Sequence, residues 1–276
     1  DKDVLEESYQ EVFRELYPGK ELLEEKKELS KAQTVALDKI MISFKEKQVV
    51  LFEGVTSSGK TEVYIKLIEE QLGQNKQVLY LVPEISLTPQ VVDRLMAYFG
   101  DQVLVYHSKF SIHERAEVWQ QVLSASKQGQ IIVGARSAVL LPFQNLGLVL
   151  VDEEHENSYK QFDPAPRYQA RDSVIYLSKL LKANVLLGSA TPSLETAENV
   201  RNGKYGWVQL TERYGGISLP KIELVDLKQA QKKKQMNGMF SHALIDAMRE
   251  TFKENKQLIL FQNRRGYAPI LECTSC

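Results

Sequence analysis

The sequence predicts an α/β fold in which a mainly parallel sheet is flanked by helices. Three observations predict it: short β-rich apolar runs recur along the chain, segments of helical period separate them, and a glycine-rich turn joins one such run to the helix after it. At roughly 150 residues per domain, the 276 residues hold one large domain and part of a second.

Residues 1–29 place Val4, Leu5, Val12, Phe13, Leu16, Leu22 and Leu23 among many Glu and Lys and break at Pro18-Gly19, which reads as a charged helical linker or arm. From Ser30, a residue able to cap a helix, the positions Val35, Leu37, Ile40 and Met41 give an amphipathic helix. Strands are expected at VVLF (49–52), VLYLV (78–82), VLVY (103–106), IIVG (131–134), LVLV (148–151) and NVLLG (184–188). Helices are expected between them over 60–72, 86–99, 111–126 and 169–181. A boundary near Leu219 closes a domain at 30–219 and opens another over 220–276. There KIELVDL (221–227) reads as a strand, QKKKQ (231–235) as a polar loop, 239–255 as a helix and QLILF (257–261) as a strand.

Composition narrows the function classes. With 43% hydrophobic and 26% charged residues the chain is an ordinary globular one, not a disordered or collagen-like one. Lys and Arg number 35 against 36 Asp and Glu, so any polyanion must be met by a local patch rather than by net charge. No apolar run approaches the roughly 18 residues of a spanning helix. The thiols, Cys273 and Cys276, lie together at the end, so the expectation is a reducing, cytoplasmic protein without membrane contact. A start at Asp1 and an end at Cys276 suggest a piece of a longer protein.

The strongest chemical signal is Gly54-Val55-Thr56-Ser57-Ser58-Gly59-Lys60-Thr61, which follows a strand and precedes a helix. The glycines Gly54 and Gly59 let backbone come close to phosphate, and the N–H groups around Thr56, Ser57 and Ser58 with the helix N-terminus meet its charge. Lys60 would then reach the β/γ-phosphates of a nucleotide and the Thr61 hydroxyl would ligate Mg²⁺. Hydrolysis also needs carboxylates at a neighbouring strand end, and Val151-Asp152-Glu153-Glu154-His155 supplies them. Asp152 would hold Mg²⁺, Glu153 would orient or deprotonate the water, and His155 would sense the γ-phosphate. Gly188-Ser189-Ala190-Thr191-Pro192-Ser193 ends a third run and is the expected coupling segment, through Ser189, Ala190 and Thr191. Taken alone, such a segment is ordinary turn and cap chemistry.

In this order GVTSSGKT, DEEH and GSATPS resemble motifs I, II and III of the superfamily-2 helicases. VPEISLTPQ (82–90), VGARSAVLLPFQNLG (133–147), DEEHENSYKQ (152–161), ARD (170–172) and FQNRRGYAP (261–269) are similar, more narrowly, to the primosomal protein N′ family of replication-restart helicases. The resemblance covers about Leu29 to Cys276. It implies two RecA-like lobes with ATP between them, travelling 3′ to 5′ along single-stranded DNA and reloading the replicative helicase at abandoned forks. Residues 30–219 would be lobe 1, a RecA-like P-loop NTPase lobe, and 220–276 the beginning of lobe 2. Single-stranded and forked DNA, the single-stranded-DNA-binding protein and other primosome proteins are the implied partners.

The resemblance also assigns residues. Gln33 takes the place of the adenine-reading Gln, with a plain helix-surface role as the alternative. Pro83, Glu84, Thr88 and Gln90 fall in motif Ia and Gly134, Arg136 and Ser137 in motif Ib, both facing DNA phosphates; a structural hydrogen-bond donor is the other reading of Arg136. Tyr159, Lys160, Gln161, Phe162, Arg167, Tyr168 and Arg171 would form the aromatic-rich loop that couples DNA to hydrolysis, with an ordinary loop whose Tyr168 docks in the core as the other reading, and Pro164 and Pro166 argue against helix there. Phe162-Asp-Pro-Ala-Pro stands where some relatives carry a Trp-bearing stretch. Asn263, Arg264, Arg265, Gly266 and Tyr267 match the motif IV region, near the DNA path. Lys232, Lys233 and Lys234 read as a solvated run. Cys273 and Cys276 would be half of a tetrahedral Zn²⁺ site completed only in the full-length protein. The arginine of motif VI belongs to the remainder of lobe 2, so these residues alone are expected to hydrolyse ATP poorly. Two other readings stay open, a P-loop translocase that never separates strands and a non-catalytic primosome scaffold.

Overall fold

The computed structural model describes residues 28–83, 89–107, 110–213 and 221–261. The arm expected before Glu28 lies outside them. The chain divides into two compact units, Asp1–Ser218 and Leu219–Cys276.

In the first unit, helix α1 (Lys31–Phe44) starts on a capping box. Ser30 Oγ accepts from Gln33 N at 3.3 Å, and Gln33 Oε1 accepts from Ser30 N at 2.8 Å, so two N–H groups that the first turn would orphan are satisfied. Then follow β1 (Val49–Gly54), α2 (Lys60–Gly73), β2 (Gln77–Leu81), α3 (Pro89–Phe99), β3 (Val103–Tyr106) and α4 (Ile112–Leu123). Next come β4 (Ile131–Gly134), β5 (Leu146–Val151), the two-residue strands β6 (Lys160–Gln161) and β7 (Tyr168–Gln169), and α5 (Ala170–Leu181). β8 (Asn184–Ser189), α6 (Leu194–Arg201) and β9 (Gly206–Leu210) complete it.

Seven strands form one sheet in the order β3-β4-β2-β5-β8-β1-β9, every pair parallel. Alternation along each strand feeds two separate cores, which is why the runs read as continuously apolar. Val50, Phe52, Val78, Tyr80, Leu148, Leu150 and Leu186 face a layer built from α1, α2 and α3. Val49, Leu51, Leu79, Leu81, Val149, Val151, Val185 and Leu187 face the other, which holds Val118 and Val122 of α4 and Ala170 and Val174 of α5. The expected parallel sheet is therefore observed, with one strand more than the sequence suggested. β9 escaped notice because it is an edge strand: Val208 and Leu210 are buried while Trp207 and Gln209 are exposed, leaving only two apolar anchors.

The second unit departs further from expectation. KIELVDL is not a strand: Asp226 accepts from Lys228 N and Gln229 N and starts α7 (Leu227–Lys232), which takes in part of the expected polar loop. QLILF is not a strand either. The described strands there are β10 (Met236–Asn237) and β11 (Phe240–Ser241), a short antiparallel pair preceding α8 (His242–Lys253). A β-prone run pairs only when a neighbour offers N–H and C=O groups, and these two find none among the described residues.

Candidate functional site

β5, β8 and β1 are adjacent, and their register aligns Val151 with Leu187 and Glu53 with Ser189. The turns after these strands, GVTSSGKT, DEEH and GSATPS, therefore emerge side by side at one edge of the sheet, where parallel sheets place ligands.

The first turn wraps the start of α2. Gly59 sits at φ +82°, a left-handed conformation that favours glycine, and a side chain there would strike the amide of Gln33. A Cβ on Gly54 would stand 2.8 Å from Lys60 Cγ. Lys60 Nζ donates to Gly54 O at 2.9 Å and lies 3.8 Å from Glu153 Oε1. Thr56 and Ser57 are exposed on the loop, Thr61 is half-buried in the first turn of α2, and Ser58 Oγ is buried with no hydrogen-bond partner among the described residues. A backbone turn whose glycines leave no room for side chains, an unpartnered buried hydroxyl and a lysine resting on its own loop fit a phosphate chain. Gln33 Nε2 donates to Ser58 O at 3.2 Å and Gly59 O at 3.3 Å, so this buried amide braces the loop from α1.

The acidic turn is held from below by tyrosines. Asp152 accepts from Tyr64 Oη at 3.1 Å, Tyr80 Oη at 3.4 Å and Glu153 N at 3.2 Å. Burial pushes the Asp152 carboxyl above the usual carboxylate range, while the Lys60 charge and these hydrogen bonds oppose the rise. Burial, and next the charge of Asp152, raise Glu153 as well. Both tyrosines are pushed well up, by burial and then by Asp152, and so remain donors. Glu153 holds φ +45°, a strained backbone for a residue with a side chain. His155 Nδ1 lies 2.8 Å from Ser189 Oγ, which also accepts from Thr191 N at 3.0 Å. This contact joins the acidic turn to the coupling segment; Ala190 is half-buried and Thr191 exposed beside it.

The DNA-facing expectations divide. Phe162 is 61% exposed with Lys160 Nζ 4.8 Å from its ring centre, and Arg167 is exposed on the same loop. Gln161 Nε2 holds that loop by donating to Pro164 O at 2.8 Å and Pro166 O at 3.0 Å. Tyr168 is half-buried, its hydroxyl 3.5 Å from Arg136 O, and Arg136 Nη1 donates to Ser158 O at 3.1 Å. Ser137 is half-buried beside it, and Pro83 is buried where β2 ends.

Two assignments need correction. Tyr159 is fully buried and its hydroxyl donates to Leu81 O at 3.1 Å and Asp152 O at 2.5 Å, so it clamps two strand ends and offers no face to a base. Arg171 is 8% exposed and donates through Nη1 to Glu154 Oε2 at 2.9 Å, so its charge is spent inside the protein and not on a phosphate. Glu84, Thr88, Asn263, Arg264, Arg265, Gly266, Tyr267, Cys273 and Cys276 lie outside the described residues, as does the side chain of Gln90. Sequence reasoning missed Tyr64 and Tyr80, one turn into α2 and next to the C-terminal end of β2, because buried tyrosines read as core. It also gave no role to Glu154, whose only signal was being the third consecutive carboxylate of the turn.

The profile of the DEAD/DEAH box helicases matches residues 30–200, which contain all three turns. The chain belongs to the DEAD/DEAH box helicase family. Membership carries nucleotide use with it. The chain is 40% identical over 278 aligned residues to replication restart protein PriA of Bacillus subtilis, covering 100% of the chain and 34% of that protein. It is 44% identical over 248 residues to the protein of the same name from Haemophilus influenzae, covering 90% of the chain and 33% of the relative. It thus spans about a third of the length of these relatives. Among solved structures, RecG bound to a three-way DNA junction superposes with a TM-score of 0.50 at 21% identity, over 69% of this chain and 25% of that one. That likeness confirms the RecA-like fold alone. Among the described residues no helix is long and apolar enough to cross a membrane.

Proposed function

We propose that the chain is lobe 1 and the beginning of lobe 2 of an ATP-dependent 3′–5′ DNA helicase that acts in replication restart at stalled or abandoned forks. The observation that carries this is the meeting of Lys60, Asp152, Glu153, His155 and Ser189 at the ends of three adjacent strands; the similarity to PriA supplies the biological setting.

Lys60 leaves Gly54 O and Glu153 for the β/γ-phosphates, while the N–H groups of the loop hold the rest of the chain. Thr61 and Asp152 would hold Mg²⁺, which when bound would neutralise charge on the transferred phosphoryl oxygens. Glu153 accepts the proton of the attacking water, aided by a carboxyl held above its usual range, and His155 relays the state of the site to Ser189. Gln33 reaches adenine only by giving up its bonds to Ser58 and Gly59, which makes it a sensor of loop position as well. Phe162, Arg167 and Tyr168, with Arg136, Ser137 and the motif Ia segment, form the surface toward single-stranded and forked DNA. By resemblance the single-stranded-DNA-binding protein and primosome proteins are partners, the protein is cytoplasmic, and Cys273 and Cys276 give half of a Zn²⁺ site in the full-length protein.

The test is the ATPase rate of the complete protein with and without single-stranded DNA, joined to strand displacement on a forked substrate. Stimulation with displacement is expected. Stimulation without displacement identifies a translocase, and binding indifferent to ATP identifies a scaffold.

A further inference from the structure

Glu154 and Arg171 form a buried ion pair that takes no part in the hydrolysis just described. Glu154 is completely buried and its carboxylate accepts four hydrogen bonds: from Ser193 N at 2.6 Å, Ser193 Oγ at 3.0 Å, Thr196 Oγ1 at 2.9 Å and Arg171 Nη1 at 2.9 Å. Arg171 Nη1 also donates to Ser193 Oγ at 2.8 Å. Three segments meet here. Glu154 belongs to the acidic turn, between Glu153 and His155. Arg171 lies in the first turn of α5, just after β7 closes the exposed loop that carries Phe162 and Arg167. Ser193 and Thr196 start α6, just beyond the coupling segment.

Stability alone is a weak account of such a pair, because apolar residues of similar volume commonly hold a core as well without the cost of desolvating two charges. Its position supplies another. The covalent route from the loop back to Glu153 passes exposed Lys160 and Asn157 and is pinned midway by Tyr159 on Leu81 O and Asp152 O, whereas the ion pair is a separate buried link that reaches the acidic turn from α5. Glu154 also donates its own N–H to Gly188 O at 3.0 Å, so the ion pair ties the first turn of α5 through the acidic turn to the end of β8. We infer that Glu154 and Arg171 are positioning residues, a charged latch through which DNA held on the loop at 162–167 sets Glu153 and His155 for hydrolysis. The inference rests on the reading of the chain as a DNA-stimulated motor.

Removing one partner leaves a buried unpaired charge and endangers folding, so the variant to make in the complete protein is the double Glu154→Gln, Arg171→Met. Its basal ATPase is expected within about twofold of the unsubstituted protein, while stimulation by oligothymidylate falls by roughly tenfold, inside the ~5–150-fold span usual for coupled sites. Hydrogen exchange at residues 152–156 in nucleotide-free protein gives a second readout: oligothymidylate alters it in the unsubstituted protein and leaves it unchanged in the variant. Arg171→Lys keeps the charge but loses the guanidinium that reaches Glu154 and Ser193 through Nη1 and Asp172 through Nε, and is expected to lose part of the stimulation; it decides the matter should the double variant fail to fold. Full stimulation in either variant, or equal loss of basal and stimulated rates, overturns the latch and leaves the functional reading standing. Absence of stimulation in the unsubstituted protein overturns both.

Discussion

The nucleotide face and the loop at 162–167 are neighbours in sequence and opposites in construction. On the nucleotide face Asp152 is held by Tyr64 and Tyr80, and His155 by Ser189. On the loop Phe162 and Arg167 stand in solvent, with Lys160 Nζ 4.8 Å from the Phe162 ring centre. A reaction centre has to be positioned before substrate arrives, because catalysis depends on preorganised charge. A surface that reads any passing strand needs open aromatic faces and cations, and order there can come with the ligand. Changes on the first face should therefore remove hydrolysis itself, and changes on the second only its response to DNA.

The largest effect is expected at Glu153. Glu153→Gln keeps shape and hydrogen bonding but cannot take the proton of water, so ATPase with DNA present should fall by about 10²–10⁴ while nucleotide affinity holds. Loss of affinity instead would move Glu153 from proton acceptor to binding group. Lys60→Ala comes next, with both affinity and rate reduced, the rate by about 10²–10³, as for other preorganised donors to developing charge. A variant that still hydrolysed ATP at the normal rate would remove the phosphate site from GVTSSGKT.

The same contrast decides what the sequence made legible. The sheet and the phosphate loop were readable because both depend on local pattern: apolar runs with helical segments between them, and a glycine spacing that fixes one turn. Tyr159 and Arg171 were misread because an aromatic or a cation beside a polar turn looks alike whether it faces solvent or core; only the fold decides that Tyr159 reaches Leu81 O and Arg171 reaches Glu154. QLILF has as much strand propensity as the runs of the sheet, yet Ile259 is 93% exposed, because propensity cannot supply a neighbouring strand. Local sequence gave the turns and the sheet; the partners of each side chain came from long-range packing.

Phe162→Ala sharpens the comparison from the loop side. Base stacking on an aromatic contributes about 1–3 kcal/mol, so stimulation by single-stranded DNA should drop several-fold with the basal rate unchanged. Proportional loss in both would mean that the loop supports the fold of the nucleotide face, and the division between the two regions would fail.

Asp152 tests the cost of preorganisation. Burial raises its carboxyl above the unfolded value, so over the pH range between the two the folded state binds the extra proton, and its stability falls as pH rises through the folded value. Asp152→Asn, measured in magnesium- and nucleotide-free protein, should therefore raise Tm at neutral pH, by roughly 2–4 °C for each kcal/mol recovered in a domain of this size, while abolishing hydrolysis. The gain should disappear on acidification, where the native carboxyl is already neutral. A lower Tm at every pH would mean that the Tyr64 and Tyr80 bonds outweigh the burial.

The smallest effect is expected at Arg167, where it is a slope rather than a rate. Arg167 is exposed, so in the free protein its guanidinium is solvated and its removal should leave folding and basal ATPase untouched. If it meets one phosphate of a bound single strand, that contact releases about 0.7 of a counterion, and the plot of log affinity against log salt should flatten by about 0.7 in Arg167→Ala. Affinity should fall mainly at low salt and converge with that of the unsubstituted protein as salt rises. Lys160 is the internal control, since its ammonium already sits over the Phe162 ring and has to leave that contact to reach a phosphate. Lys160→Ala should therefore flatten the slope less than Arg167→Ala. An unchanged slope in Arg167→Ala would place the path of the strand away from this side of the loop and leave Phe162 as its point of contact.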